Sequence, residues 1–272
     1  MESQHDEKKF QSAYEKAAEN GIDPRCIPQK LTQDVPEGDL ITYPNYSETE
    51  ISIWMTLYIR QMELLKGRVC DEYLEGVKLM NFSSSQIPSL RELSNVLSST
   101  SNWTVARVPG LIHEENFFSF LRRRVFPSTD YIREPHEIDY TPAPDLFHDI
   151  FGHMPLLTNS NFANFYQLFG EAALNAREEQ HIFLEKLHWF TVEFGLIKKN
   201  NQNRIYGAGI ISSKNEVEHS LSDKVEVIPF DIERIIHQEY EVWHLQPLLF
   251  VIESFEQLET SFKEWVSKEN LI

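Results

Sequence analysis

Thiols are scarce in this 272-residue chain: Cys26 and Cys70 are its only cysteines. That excludes a disulfide scaffold, since at most one bridge could form. Glycine is also sparse, with ten residues. No G-x-G-x-x-G or Walker A string occurs, so a dinucleotide fold and a P-loop have no support. Basic residues are outnumbered, 25 Lys+Arg against 42 Asp+Glu, for a formal net charge of −17. That balance argues against nucleic acid or an anionic membrane surface as partner, because both need a basic face. No run approaches the roughly 18 apolar residues that span a bilayer. Met1–Lys9, charged and mixed in sign, lacks the apolar stretch of a secretory leader. The expected compartment is therefore the cytoplasm. Histidine, by contrast, is plentiful, ten residues against two cysteines, so imidazole and carboxylate are the expected ligands if a metal is bound.

Along the chain, residues 1–40 read as an arm. It has a short helix over Glu7–Asn20 and then an extended stretch marked by Pro24, Pro28 and Pro36, packed on a body formed by residues 41–272. Ser47 with Glu50 is a capping box. It opens a helix whose apolar positions are Ile51, Trp54, Met55, Tyr58, Met62 and Leu65, with Gly67 as its stop. Further helices are expected over Val69–Leu79, from the Ser89/Glu92 box, over Phe117–Val125, from Pro144-Asp145, around Phe162–Ala173, over Glu178–Phe194, and from Ser254/Gln257. Strand signals are few: Trp103–Val108, Leu196–Lys198, Ile205–Ile211 and Val225–Ile228. Three consecutive arginines, 122–124, read as a solvated face with salt bridges. The fold class is mainly α with minor β, in a single catalytic domain after the arm.

One stretch carries chemistry: Pro144-Asp145-Leu146-Phe147-His148-Asp149-Ile150-Phe151-Gly152-His153. On a regular helix five residues turn about 500°, so His148 and His153 would diverge by roughly 140°. They reach one ion only if the helix ends or distorts near Gly152. By itself this spacing fits a surface histidine and a capping histidine equally well. A second stretch, Leu187 to Gly195, ends an aromatic-rich helix with Glu193. An acid at a helix C-terminus is opposed by the dipole and calls for a cation nearby. Two imidazoles and one carboxylate are the facial triad of non-haem iron(II) oxygenases, and the same ligand types serve zinc hydrolases. Ligand identity alone leaves both open.

Longer strings resemble those of the pterin-dependent aromatic amino acid hydroxylases, in particular the short bacterial phenylalanine 4-hydroxylases. They are Tyr131-Ile132-Arg133, Tyr140 to Asp145, His148 to Pro155, Trp189 to Gly195, Tyr206 to Gly209 and Ser212-Ser213. All stand in family order and spacing over roughly residues 43–256. The resemblance implies a mostly helical, basket-like catalytic domain that uses Fe(2+), a tetrahydropterin such as tetrahydrobiopterin, and dioxygen. It would convert L-phenylalanine to L-tyrosine, the first step of phenylalanine breakdown. By position it implies His148, His153 and Glu193 as iron ligands. It places Arg133 on the substrate carboxylate, where a planar guanidinium suits a bidentate contact. Thr141 and Ser212 match positions on the amino acid backbone, and Trp189 and Phe194 the wall beside the substrate ring. Phe117 matches the ring that stacks on the pterin, Gly110, Leu111 and Ile112 the backbone beside it, and Asp149 a carboxylate that reaches it through water. Asp149 stands where the animal enzymes carry glutamate, and His188 replaces a tyrosine, adding a nearby histidine not expected to ligate. The animal enzymes' regulatory domain and coiled-coil helix have no counterpart, so the expected state is a monomer or small homo-oligomer. Rival readings are a tryptophan or tyrosine hydroxylase of the same family and a zinc hydrolase. The hydrolase is weakened by the lack of an H-E-x-x-H string. A non-catalytic binding protein on the same scaffold is a third.

Overall fold

Ser47 and Glu50 satisfy each other. The Ser47 hydroxyl accepts the Glu50 N–H, and the Glu50 carboxylate accepts the Ser47 N–H. Helix α1, Glu48–Leu65, runs from this box, and Gly67, at φ +66°, follows its end in the left-handed region. The computed structural model describes residues 23–240, 242 and 244–272, so the helix expected over Glu7–Asn20 lies outside the described residues. The buried face of α1 is Ile53, Trp54, Leu57, Gln61 and Leu65, rotated from the expected stripe, and Met55 is exposed. Gln61 tolerates burial because its amide donates to the Ile211 carbonyl at 2.7 Å.

Helices α2, Asp71–Leu79, and α3, Leu90–Ser101, follow. At α3 the Ser89 hydroxyl accepts the Glu92 N–H, and Asn102 at φ +60° ends the helix. Strand β1, Thr104–Arg107, helix α4, Glu114–Arg122, and strand β2, Val125–Ser128, form a parallel β-α-β unit with Thr104 opposite Val125 and Arg107 opposite Ser128. The helix expected over Phe117–Val125 therefore starts earlier and stops sooner. Arg124 turns left-handed at φ +57°, and Val125 enters β2. Pro127 hid that strand from the sequence pattern; it is tolerated because the sheet has only two strands. Of the three arginines, Arg123 pairs with Glu37 at 2.9 Å and Arg124 donates to Asn164. From Asp23 onward the N-terminal segment lies on the body. Gln29 exchanges backbone hydrogen bonds with Leu111 and His113, and Arg25 bridges Asp23 and Glu137.

Helices α5, Ser160–Asn175, and α6, Glu178–His188, lead to a second sheet. Strands β3, Leu196–Lys199, and β4, Gln202–Ile205, form a hairpin around Asn200-Asn201, both at positive φ (+51° and +61°). Two left-handed residues make the tight turn that suits the twist of a hairpin, and asparagine is among the few residues that accept them. The strand expected over Ile205–Ile211 is overturned. Ile205 closes β4, and the chain then enters two short helices, α7, Ala208–Ser212, and α8, Lys214–Ser220. The cause is local: the N–H groups of Tyr206 and Gly207 both donate to the Gly195 carbonyl, which folds the chain back on itself. Strand β5, Glu226–Pro229, helix α9, Ile232–Ile235, and strand β6, Leu248–Ile252, complete a sheet ordered β4-β3-β6-β5. Helix α10, Phe255–Lys268, starts at Ser254 as expected and packs on α5 through Phe169 and Phe262, stacked 5.3 Å apart.

About 53% of the described residues are helical and 12% strand. One hydrophobic cluster extends from Ile41 to Leu271. Among the described residues no helix is long and apolar enough to cross a membrane. Helix α2 packs so closely on Met154–Thr158, the turn after His153, that a Cβ on Gly76 would lie 2.1 Å from the Pro155 carbonyl oxygen. Gly76→Ala is therefore expected to destabilise the protein by about 1–3 kcal/mol through overpacking against backbone that cannot yield, read as a lower urea midpoint at unchanged slope.

Candidate metal centre

Asp145 is fully buried and makes two kinds of bond. Its carboxylate accepts the His148 backbone N–H at 3.2 Å, as an N-cap, and it receives the Arg133 backbone N–H, Nε and Nη2 at 2.8–2.9 Å. The helix thus opens at Leu146 with Asp145 as its cap, just after the Pro144-Asp145 opening that the sequence suggests. Burial alone would raise the Asp145 carboxyl, but the guanidinium outweighs it and holds the group below its ordinary value.

After two residues, Leu146 and Phe147, the helix widens. His148–His153 is wound as a π-helix, which closes over five residues and not four. That extra residue removes the 140° divergence of a regular helix, and the two imidazoles converge. Their Nε2 atoms lie 3.0 Å apart, with the ring planes at 87°. Helix α6 makes the same change at its end. Trp189–Glu193 is a π-turn closed by the Phe194 N–H on the Trp189 carbonyl at 2.9 Å, and it delivers Glu193. Gly207 presses against this turn; a Cβ there would lie 2.3 Å from the Glu193 carbonyl oxygen.

The Glu193 carboxylate then lies 3.3 Å from His153 Nε2 and 3.7 Å from His148 Nε2. A ligand shell with bonds of about 2.1 Å has edges of about 3.0–3.4 Å, so the triangle is the size one first-row ion would occupy. The protonation states also fit. Burial pushes His148 down to about 4, leaving a neutral imidazole. Burial would raise Glu193, but the three surrounding histidines hold it well below the usual carboxylate range. Burial would lower His153, but the Glu193 charge overrides it and raises the ring. A cation binding here would displace that proton. Tautomer is set from outside. The Ala208 carbonyl can only accept, so the Ser212 hydroxyl donates to it at 2.8 Å. Its oxygen then takes the His148 Nδ1–H at 2.9 Å, which leaves the Nε2 lone pair facing Glu193.

The remaining sequence-derived residues are placed as follows. Ser212, expected at the substrate backbone, has both hydrogen-bonding roles engaged by His148 and Ala208. Arg133 is buried, its fork engaged by Asp145. Thr141 donates to the Ala143 carbonyl in the loop before Asp145. Trp189 and Phe194 pack against each other with centroids 4.5 Å apart and ring planes tilted by 33°. Phe117 meets His188 edge-on at 6.1 Å, and His188 Nδ1 is 3.9 Å from Glu193, which links the expected pterin residue to the triad. His188 also shares a 3.0 Å hydrogen bond with the Tyr166 hydroxyl, and burial pushes it down to about 4. Asp149 accepts the Thr129 N–H and hydroxyl, and burial pushes it up to about 7. Gly110 sits at φ +157° with nothing within 4 Å of a would-be Cβ, while Leu111 and Ile112 join the segment around Gln29. Sequence reasoning missed Asp145 as the clamp joining Arg133 to His148, although its position three residues before His148 is an N-cap signal. It also missed Gln246, which accepts the Trp189 indole N–H at 2.9 Å and has no signal in the sequence.

Comparison with known proteins matches this architecture. The family profile of biopterin-dependent aromatic amino acid hydroxylases matches residues 22–271, wider than the 43–256 marked by the motifs. The phenylalanine-4-hydroxylase of Pseudomonas aeruginosa is 44% identical over 214 residues, covering 79% of this chain and 82% of that protein. That of Chromobacterium violaceum is 42% identical over 215 residues, 78% and 72% of the two chains. A crystal structure of the Chromobacterium violaceum phenylalanine hydroxylase with bound iron(III) and 7,8-dihydrobiopterin superposes with a TM-score of 0.81 at 35% identity, covering 96% of this chain and 93% of that one.

Ser212→Ala should weaken divalent-metal binding about 10–100-fold, the usual cost of losing the group that orients a ligating histidine. Titration of the metal-free protein with cobalt(II), followed by its visible absorption, reads this directly; an unchanged affinity would refute the role given to Ser212.

Proposed function

The chain belongs to the biopterin-dependent aromatic amino acid hydroxylases, and from that premise we propose how its residues divide the work. It is an iron- and tetrahydropterin-dependent phenylalanine 4-monooxygenase, forming L-tyrosine from L-phenylalanine. His148, His153 and Glu193 hold the iron, and their three convergent donor atoms are the observation that carries the assignment. When bound, iron and tetrahydropterin supply the activation of dioxygen.

The chain's own residues bind, orient and shield. Arg133, braced by Asp145, takes the substrate carboxylate, and Thr141 stands at the amino acid backbone. Trp189 and Phe194, packed against each other at a tilt, form the wall against which the phenyl ring lies, so its para carbon faces the metal side. Phe117 stacks on the pterin ring, with the Gly110–Ile112 backbone and Asp149 along its polar edge. The buried aromatics around the triad exclude water from it. Ser212 acts through His148, a role distinct from substrate contact. Residues 41–272 form the catalytic domain, with the preceding residues as an arm whose described part straps the body. The enzyme works as a monomer or small homo-oligomer in the cytoplasm, where its two unpaired cysteines stay reduced, with neither nucleic acid nor membrane as partner.

The test is an aerobic assay of the purified protein with iron(II) and tetrahydrobiopterin, offered phenylalanine, tryptophan and tyrosine in turn. Tyrosine formed from phenylalanine, at a rate above hydroxylation of the other two, is the expected result. His148→Ala and Glu193→Ala should each fall to background. Pterin-independent hydrolysis by zinc-loaded protein would overturn the assignment in favour of a hydrolase, and full activity in either alanine variant would overturn the ligand set.

A further inference from the structure

Trp189 holds two positions at once. Its indole lies between Phe194 and Tyr240, with ring centroids 4.5 Å from each. Its backbone carbonyl closes the π-turn that carries Glu193. A tilt of this indole would therefore move the ring wall and strain the turn beneath the metal site. Stacking restrains the plane of a ring better than rotation within that plane, and a hydrogen bond to the ring edge restrains the rotation. One such bond exists: the Trp189 Nε1–H donates to Gln246 Oε1 at 2.9 Å, with Gln246 only 1% exposed.

Gln246 is itself held on every side. Its side-chain NH₂ donates to the His244 carbonyl at 2.8 Å, which orients the amide with oxygen toward the indole. Its backbone N–H donates to Glu216 Oε1 at 3.2 Å, and its backbone carbonyl pairs with His219 Nε2 at 3.0 Å. Glu216 and His219 lie one turn apart on α8, which begins directly after Ser212 and Ser213. The helix that follows the His148-orienting serine thus also anchors the glutamine that orients Trp189.

We propose that Gln246 is a positioning residue of the hydroxylation reaction: by fixing the in-plane rotation of the Trp189 indole it keeps the substrate ring aligned, so that pterin oxidation is spent on hydroxylation. The proposal rests on the phenylalanine-hydroxylase reading above. Removing the acceptor leaves a buried indole N–H unsatisfied. The ring then settles in orientations that admit phenylalanine but present it poorly.

Gln246→Leu is the direct test, with Gln246→Met as a second variant should the first not fold. The expected result is a rise in KM for L-phenylalanine of about tenfold, the equivalent of roughly 1.4 kcal/mol. Tyrosine formed per tetrahydropterin oxidised should fall well below the wild-type value, while iron content and KM for tetrahydropterin stay unchanged. In a Trp189→Phe background, which has no indole N–H, the same Gln246 substitutions should change neither quantity further. Wild-type coupling and KM in both variants would overturn the proposal, as would an undiminished effect in the Trp189→Phe background. Independently of turnover, the Trp189 indole N–H in a spectrum of 15N-tryptophan-labelled protein should exchange slowly in wild type and rapidly in the Gln246 variants; equal exchange would overturn the proposal. A wild-type protein that forms no tyrosine would instead sink the functional reading, and the indole exchange would still decide the Gln246 bond.

Discussion

A regular α-helix cannot turn residues i and i+5 toward one point, and this constraint shapes the centre of the molecule. His148 and His153 stand five apart, and only the π-winding between them brings their Nε2 atoms to 3.0 Å. Glu193 reaches the same point through a second π-turn. A widened turn is unfavourable in isolation, so each is held from outside. At the first, Asp145 caps the entry and α7 presses against Gly152, where a Cβ would come within 3.1 Å of the Ala208 carbonyl oxygen. At the second, the folded-back strand end at Gly195 and Gly207 leaves no room for a side chain.

Charge is handled by the same economy of enclosure. Four ionisable groups, His148, His153, His188 and Glu193, share a space walled by aromatic rings. In so little water each sets the state of its neighbours. The result is a deprotonated carboxylate beside two neutral imidazoles and a third, His153, whose proton a divalent cation would displace. The Arg133–Asp145 pair, buried beside it, is satisfied by four hydrogen bonds to the carboxylate, which is what makes an ion pair tolerable at that depth. Asp145 therefore couples Arg133 to the start of the turn that carries His148 through a single carboxylate.

Much of the scaffold was legible because its signals are local. The Ser47/Glu50 box, the Ser254 cap and the apolar periodicity of α5 and α10 each concern residues within one or two turns of each other. The failures were non-local or conflicted with a rule of composition. Val125–Ser128 carries a proline and reads poorly as a strand, yet it pairs in parallel with β1 across a helix. Ile205–Ile211 is β-branched enough to suggest a strand, but the backbone hydrogen bonds at Gly195 turn it into a helix. The apolar stripe of α1 is rotated because a buried glutamine found a carbonyl 150 residues away.

What the amino-acid order determined by itself was the inventory: two histidines, a glutamate, an arginine and the aromatic set, in a spacing that matches one enzyme family. Those are properties of residue type and position along the chain. Tertiary structure alone decided which of those groups face each other and in what state. The π-turns, the commitment of Ser212 to His148, the bracing of Arg133 by Asp145 and the grip of Gln246 on Trp189 all join residues through close packing and buried hydrogen bonds. Most of these contacts bridge distant parts of the chain, where energies depend on distance and dielectric, neither of which a sequence states.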